Sequence, residues 1–196
     1  MSRRQTAVER TRERIVTAAF DLHATIGPSR TTIRGIAEHA GVQRHTVYAH
    51  FPDLDALYEA CTAHGIRSTA MPEPDAWRTI ADPADRLRHG LAEMVVWYRT
   101  NEQMLSNVLF DIDPTAPLPT KPDQFEVRMG ALLSTMVEPW SVATDRRPAF
   151  EAVVGHALAF TTWQSLSGAG LTDGQVVAVM VGLIEAVATG SITADH

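Results

Sequence analysis

Apolar residues recur along the chain at intervals of three and four, the spacing of one face of an α-helix. The clearest stripe begins at Ile15 and continues through Ala18, Ala19, Leu22 and Ile26, after which a Gly-Pro pair follows. The strict alternation of apolar and polar residues that would indicate strands is nearly absent. The pattern therefore predicts an all-α fold.

Further stretches of the same kind follow, and together they predict about nine helices. After the first helix, the predicted helices cover approximately residues 31–40, 43–50, 52–64, 83–98, 102–110, 123–138, 148–167 and 173–189. Local signals support several boundaries. Thr31 or Thr32 can cap the second helix, Gly41 can end it, and Thr172 with Gln175 forms a capping box before the last helix.

Proline-rich stretches indicate where the helical groups separate. Residues 65–82 are rich in proline and acidic residues and are predicted as a linker or loose turn, and four prolines within 111–122 predict a loop. We place an N-terminal domain of three helices at residues 1–51. A C-terminal helical domain is expected over residues 52–196.

The net charge of −6 conceals an uneven distribution of charge. Residues 1–50 hold eight arginines and four acidic residues and carry +4, whereas the rest of the chain carries −10. A basic segment on an acidic body indicates that only the N-terminal part meets a polyanion such as DNA. A chance cluster of solvated arginines is the alternative on charge alone.

The second and third predicted helices have the layout of a helix-turn-helix, in which two short helices are joined by a glycine-containing turn. The second helix of such a pair enters the major groove with its early residues on base edges, where Gln pairs with adenine and Arg with guanine. Residues near its end can hold phosphates. The expected DNA contacts are Gln43, Arg44, His45, Thr46, Tyr48 and His50.

Several spaced motifs in this region resemble the DNA-binding domain of the TetR family. They are IVTAAFDL at 15–22, TTIRGIAEHAGV at 31–42, TVYAHF at 46–51 and the Leu57-Tyr58 pair. The resemblance covers about residues 10–64. It implies a homodimeric repressor that grips a palindromic double-stranded DNA operator and releases it when a small molecule binds.

The resemblance also implies roles for individual residues. Thr31 and Thr32 correspond to the residues that hold the backbone at the start of the second helix. The family often has a lysine near the start of the fourth helix that contacts phosphate, but this chain has Asp53 and Asp55 there. We expect arginines of a flexible N-terminal arm to compensate for that lysine: Arg3, Arg4, Arg10 and Arg12.

The last two predicted helices are the expected dimer interface, because the resemblance implies that they pair with their mates in a four-helix bundle. The last helix is apolar nearly all round, so it must be covered on more than one side. Burial within a single chain is the alternative. The residues expected at the interface are Phe150, Val154, Leu158, Val177, Met180 and Ile184.

A small-molecule pocket is implied by the resemblance and not by residue spacing. Aromatic and methionine side chains can line an adaptable apolar pocket, although they are equally what any core contains. We expect a largely apolar, neutral or weakly cationic effector, with Glu93, Glu102 or Asp111 near any positive centre. The expected pocket residues are Met94, Trp97, Tyr98, Met104, Phe110, Phe125, Met129 and Trp163.

Other classes of function lack support in the sequence. The eight histidines and the single cysteine, Cys61, do not have metal-ligand spacing, and patterns of nucleophile elbows, phosphate loops and dinucleotide sites are missing. We therefore expect no enzyme activity, catalytic residue, metal or cofactor. No apolar run suits a signal peptide or a membrane span, which predicts a cytoplasmic protein. An activator, or a regulator controlled by a protein partner, remains open.

Overall fold

The computed structural model describes residues 3–111 and 123–192, except the side chains of residues 3 and 4. Over these residues the fold is all-α, as predicted, with eleven helices, and the predicted number of nine was too low. Apart from Asp111, the predicted loop at 111–122 lies outside the described residues. None of the described helices is both long and apolar enough to cross a membrane. The helices are α1 (Arg3–Ile26), α2 (Ile33–Ala40), α3 (Arg44–His50), α4 (Leu54–Ser68), α5 (Pro74–Trp77), α6 (Pro83–Thr100), α7 (Glu102–Phe110), α8 (Gln124–Val137), α9 (Arg147–Ala157), α10 (Phe160–Gly168) and α11 (Asp173–Thr189).

One of the two additional helices arises because the predicted helix 148–167 is broken. Ala159 adopts an extended conformation, with φ −76° and ψ 133°, between α9 and α10. The carbonyl of Leu158 accepts a hydrogen bond from the buried hydroxyl of Tyr98. The hydroxyl of Thr162 donates to the carbonyl of His156 at 2.6 Å. Side chains therefore satisfy carbonyls at the break, and apolar periodicity alone does not reveal it.

The boundaries of α4 also differ from the prediction. The carboxylate of Asp53 accepts a hydrogen bond from the amide of Ala56 at 2.8 Å, so Asp53 is the cap and Pro52 lies outside the helix. The helix continues to Ser68, four residues beyond its predicted end. The short helix α5 occupies part of the predicted linker at 65–82.

Helix α1 corrects the prediction of a flexible N-terminal arm. It begins at Arg3, so Arg10 and Arg12 belong to a regular helix. The guanidinium carbon of Arg12 lies 4.9 Å from the ring centroid of Phe51, a residue of the buried core. Arg12 is thereby engaged with the protein itself and does not lie on a loose segment.

The chain forms two compact units, and each unit is built from two separate segments of the sequence. The first comprises the described residues of 1–70 and 101–125, and the second those of 71–100 and 126–192. In the first unit, α1 packs against α2, α4 and α7. The predicted functional division at residue 51 remains a prediction. The core of the first unit includes Ile15, Ile36, Val47, Phe51, Leu57 and Cys61.

The second unit is organised around α6, which packs against α5, α10 and α11. Its centre holds the rings of Tyr98, Phe160 and Trp163, whose centroids lie 5.5–6.0 Å apart. At the edge of this cluster, the guanidinium of Arg99 donates to the carboxylate of Asp173 at 2.7 Å, which links α6 to the start of α11. Aromatic packing and one charged link thus hold these helices together.

Arg86 is an unusual member of the second unit because it is charged and only 8% exposed. Its guanidinium donates hydrogen bonds to three backbone carbonyls, those of Ile80 at 2.8 Å, Arg78 at 3.2 Å and Thr135 at 3.4 Å. The first two precede α6 and the third belongs to α8. Arg86 therefore fastens the α5–α6 connection to α8.

Candidate nucleic-acid interface

Helices α2 and α3 form the predicted helix-turn-helix within the first unit. The hydroxyl of Thr32 accepts a hydrogen bond from the amide of Gly35 at 3.0 Å and caps α2. Thr31 has a different role, because its hydroxyl donates to the carbonyl of Gly27 at 2.8 Å. Of the two threonines proposed from the sequence, Thr32 is therefore the cap, and Thr31 closes the turn before the helix.

The turn between α2 and α3 requires glycine at position 41. Gly41 has φ 64°, in the left-handed region that side chains disfavour. Arg14 of α1 donates hydrogen bonds to the carbonyl of Ala40 and, at 3.2 Å, to that of Gly41. A Cβ at Gly41 would lie 2.8 Å from Nη2 of Arg14. The turn is thus fixed by its own backbone conformation and by a side chain from α1.

Helix α3 buries Val47 against the core and turns its polar residues outward. Gln43 occupies the N-cap position, but its side chain makes no capping hydrogen bond. The predicted base-reading side chains therefore stand together at the start of α3, while Thr46 and His50 are half-buried. Of the six predicted DNA contacts, the exposed ones are Gln43, Arg44, His45 and Tyr48.

Arg44 and Tyr48 contact each other on the exposed face of α3. Nη2 of Arg44 donates to the hydroxyl oxygen of Tyr48 at 3.1 Å. The guanidinium carbon lies 5.7 Å from the centroid of the Tyr48 ring, within the range of a cation–π interaction. The arginine expected to read a base is therefore held by the tyrosine expected to hold a phosphate.

The remaining basic residues of this unit contribute unevenly to the surface. Arg10 and Arg30 are exposed, and Arg34 forms an exposed ion pair with Glu38 at 2.8 Å. The side chains of Arg3 and Arg4, which the sequence assigns to DNA, lie outside the described part of the chain. Their contribution stays a prediction based on charge.

Helix α7 anchors the turn before α2, a link that the sequence analysis missed. The carboxylate of Asp111 accepts hydrogen bonds from the amide of Ser29 at 2.8 Å and from its hydroxyl at 2.6 Å. These bonds lower the pKa of Asp111. The amide of Asn107 donates to the carbonyl of Ala24 at 2.6 Å. Asp111 therefore holds the segment that leads into the helix-turn-helix, and its expected place near an effector stays a prediction.

The eight predicted pocket residues divide between the two units. Tyr98 and Trp163 are 1% exposed within the aromatic cluster of the second unit, whereas Phe110 of the first unit is 56% exposed. Glu93 accepts a hydrogen bond from the indole of Trp77 at 2.7 Å, so it already has a partner. The pocket residues stay a prediction. The second unit contributes Met94, Trp97, Tyr98, Met129 and Trp163, and the first Met104, Phe110 and Phe125.

The six predicted interface residues are buried within the single chain. Phe150, Val154, Leu158, Val177, Met180 and Ile184 are each no more than 7% exposed. Helix α11 leaves a different face open, on which Val179 and Leu183 are both 42% exposed. Ala178 and Gly182 lie on the same face, and a Cβ at Gly182 would meet no described atom within 4 Å. If these helices form an interface, this open face is the part available for it.

Cys61 lies in the core of the first unit and has little reactive character. Its Sγ lies 3.4 Å from Nδ1 of His23. Burial, together with the negative charge of Asp21, raises the pKa of the Cys61 thiol to about 12. The reactive thiolate is therefore scarce at neutral pH.

We expect Cys61 to react with a thiol reagent at least about tenfold more slowly in the folded protein than after unfolding, because burial both shields the thiol and raises its pKa, which leaves less thiolate to react. The measurement is the rate of labelling by a chromogenic disulfide at pH 7.5, with and without denaturant. Equal rates would contradict the buried position of the thiol.

Comparisons with known proteins agree with the helix-turn-helix assignment. Residues 15–61 match the model of a family described as bacterial regulatory proteins, tetR family. This confirms the resemblance found in the sequence over the helix-turn-helix region. No curated protein matches the chain.

Three solved structures show how far the fold is shared. A tetR-family transcriptional regulator from Streptomyces coelicolor has a TM-score of 0.67 at 19% identity, over 93% of this chain and 82% of its own. A TetR-like regulator from Rhodococcus sp. RHA1 has 0.59 at 16% identity, over 92% and 96%. A TetR regulator from Haloarcula marismortui ATCC 43049 has 0.59 at 18% identity, over 93% and 98%. At these identities the similarity establishes the fold.

Proposed function

We propose that this protein is a sequence-specific transcriptional regulator. Residues 15–61 match the tetR family model, and the fold is similar to those of TetR-family regulators, which supports the proposal. The protein binds a palindromic double-stranded DNA operator as a homodimer. It acts as a repressor that a small, largely apolar molecule releases from DNA.

The observation that carries the proposal is the arrangement of α3. This helix is fixed to the core by Val47 and presents Gln43, Arg44 and His45 at its exposed start. The early residues of a recognition helix are those that reach base edges in the major groove. The basic charge of residues 1–50 favours the approach of this surface to DNA.

Dimerisation follows from the small size of this reading surface. One recognition helix contacts too few base pairs to specify a site, whereas two copies on a two-fold axis read half-sites about 34 Å apart. The open face of α11 supports this proposal, because it combines exposed Val179 and Leu183 with the small residues Ala178 and Gly182. Small residues allow helices to approach closely and apolar ones gain from burial.

Release by an effector is the finer part of the proposal. An effector lowers DNA affinity only if it binds better to a conformation in which the two recognition helices are wrongly spaced. Its site is proposed among the predicted pocket residues of the second unit, which are Met94, Trp97, Tyr98, Met129 and Trp163. Apolar compounds that raise the melting temperature of the protein are candidate effectors, and each is then tested for its effect on operator affinity. If none of them weakens operator binding, this part of the proposal is wrong.

The decisive test is selection of bound duplexes from a random DNA library by the purified full-length protein, repeated at two salt concentrations. Enrichment of a palindrome at both concentrations would support a sequence-specific dimer. Weak, strongly salt-dependent binding without an enriched sequence would overturn the proposal, because it is the behaviour of a purely electrostatic surface.

Arg44→Ala is expected to relax the base preference at one position of each half-site, at a cost of about 1–3 kcal/mol. The salt dependence of binding should change little. Replacement of Arg3 or Arg4 by Ala should instead flatten the salt dependence and leave base preference alone. The measurement is the affinity for duplexes with each base at that position. An equal loss of affinity for every duplex would show that Arg44 does not read a base.

A further inference from the structure

The contact between Arg44 and Tyr48 points to a role for Tyr48 beyond the phosphate contact expected from the sequence. We propose that Tyr48 is a positioning residue that orients the guanidinium of Arg44 for a guanine base. This inference rests on the proposed function, because it concerns how the recognition helix reads its operator.

The geometry supports this assignment through two contacts between the same pair of side chains. Residues four apart lie on the same face of a helix, so Tyr48 lies one helical turn C-terminal to Arg44 on that face. The hydroxyl of Tyr48 accepts a hydrogen bond from Nη2 of Arg44 at 3.1 Å. Its ring lies 5.7 Å from the guanidinium carbon. The hydrogen bond fixes one edge of the guanidinium, and the ring contact fixes its distance from the tyrosine ring.

The contact leaves Arg44 able to read a base. A guanidinium has five N–H donors, and the bond to Tyr48 uses one of them. A guanine offers two acceptors on its major-groove edge, O6 and N7, which an arginine contacts through two donors. Tyr48 therefore restrains the side chain while donors for a bidentate contact remain.

Restraint matters here because Arg44 is exposed at the first position of α3. A free arginine side chain loses much rotamer freedom when it makes a fixed contact. A partner that restricts the side chain before binding reduces this loss, as for any preorganised group. The benefit applies only to the base pair that Arg44 reads, which separates this role from a phosphate contact that helps every sequence equally.

The test is a double-mutant cycle that measures affinity for four duplexes. They carry each of the four bases in turn at the position where Arg44→Ala loses base preference. Tyr48→Phe removes the hydroxyl and keeps the ring. It is expected to lower the preference for guanine about fivefold, the effect of losing one modest hydrogen bond. In the Arg44→Ala background the same change should have no further effect on base preference.

A matched control is Tyr58→Phe, which removes a hydroxyl from an exposed tyrosine of α4. It should leave base preference unchanged, and thermal unfolding should show that both phenylalanine variants fold. If Tyr48→Phe lowers affinity equally for all four duplexes in both backgrounds, Tyr48 holds a phosphate and the inference is wrong. No effect of Tyr48→Phe on base preference would overturn it as well. Neither result touches the proposed function, which depends on whether the unaltered protein selects a palindrome.

Discussion

Leu183→Arg is expected to convert the proposed dimer to a monomer and to lower its affinity for a palindromic duplex by roughly 100-fold or more, because linked half-sites gain that much from joint binding. Leu183 lies on the open face of α11 and is 42% exposed in the single chain. A long charged side chain there meets its own copy across a two-fold axis, and the buried like charges oppose association. The fold of the single chain should survive, because the residue is not part of its core.

The matched control is Val96→Arg, which places the same charge on the exposed face of α6 in the same unit, where Val96 is 61% exposed. Sedimentation equilibrium and titration of a selected duplex measure the two effects. Val96→Arg should remain dimeric and bind normally. A dimeric Leu183→Arg variant with unchanged affinity would show that the open face of α11 is not the interface.

Arg86→Ala is expected to destabilise the protein by about 3 kcal/mol, the range for removing one partner from a buried charged hydrogen-bond set. The three carbonyls of Ile80, Arg78 and Thr135 would lose the donor that Arg86 supplies. A cavity would also remain where the guanidinium was, and the surrounding helices close such spaces only in part. Urea unfolding followed by far-ultraviolet circular dichroism measures the change in free energy of unfolding.

Arg88→Ala is the control two residues along the same helix. Arg88 is half-exposed and pairs with Asp85 at 2.7 Å, also exposed. Such surface pairs contribute roughly 0–1 kcal/mol, so this variant should unfold nearly as the unaltered protein does. If both variants lower the free energy of unfolding by similar amounts, the buried hydrogen bonds of Arg86 contribute no more to stability than a surface ion pair does.

The elements that sequence predicted well depend on neighbouring residues in the chain. Thr32 caps α2, Gly41 ends it, and Thr172 forms the predicted capping box with Gln175. Each signal acts within one helical turn, where residue type decides the outcome. The break between α9 and α10 was missed because it involves the Tyr98 hydroxyl, 60 residues away from Leu158.

The orientation of helices was harder to predict than their existence. α11 is apolar nearly all round, so its sequence does not say which side faces its own chain and which stays open. The structure buries Val177, Met180 and Ile184 and leaves Val179 and Leu183 exposed. The positions of α6, α9 and α10 beside α11 decide this.

The proximity of the candidate base-reading residues was predictable because they are consecutive at the start of one short helix. The link of Asp111 to Ser29 was not, because the two residues are 82 positions apart. The pair of Arg44 and Tyr48 carried a usable signal. Residues four apart on a helix contact each other, and an arginine beside a tyrosine at that spacing indicates an interaction.

The return of α7 to the first unit has a consequence for synthesis on the ribosome. Helices α1 to α4 emerge first, but the residues that secure the turn before α2, Asn107 and Asp111, follow only after residues 71–100 of the second unit. At translation speeds of about 5–20 residues per second, several seconds pass between the synthesis of α4 and that of α7. During that interval α7 does not yet cover the face of α1 against which it packs in the complete fold. A fragment cut at residue 70 would lack α7 and would leave the same face of α1 exposed to solvent.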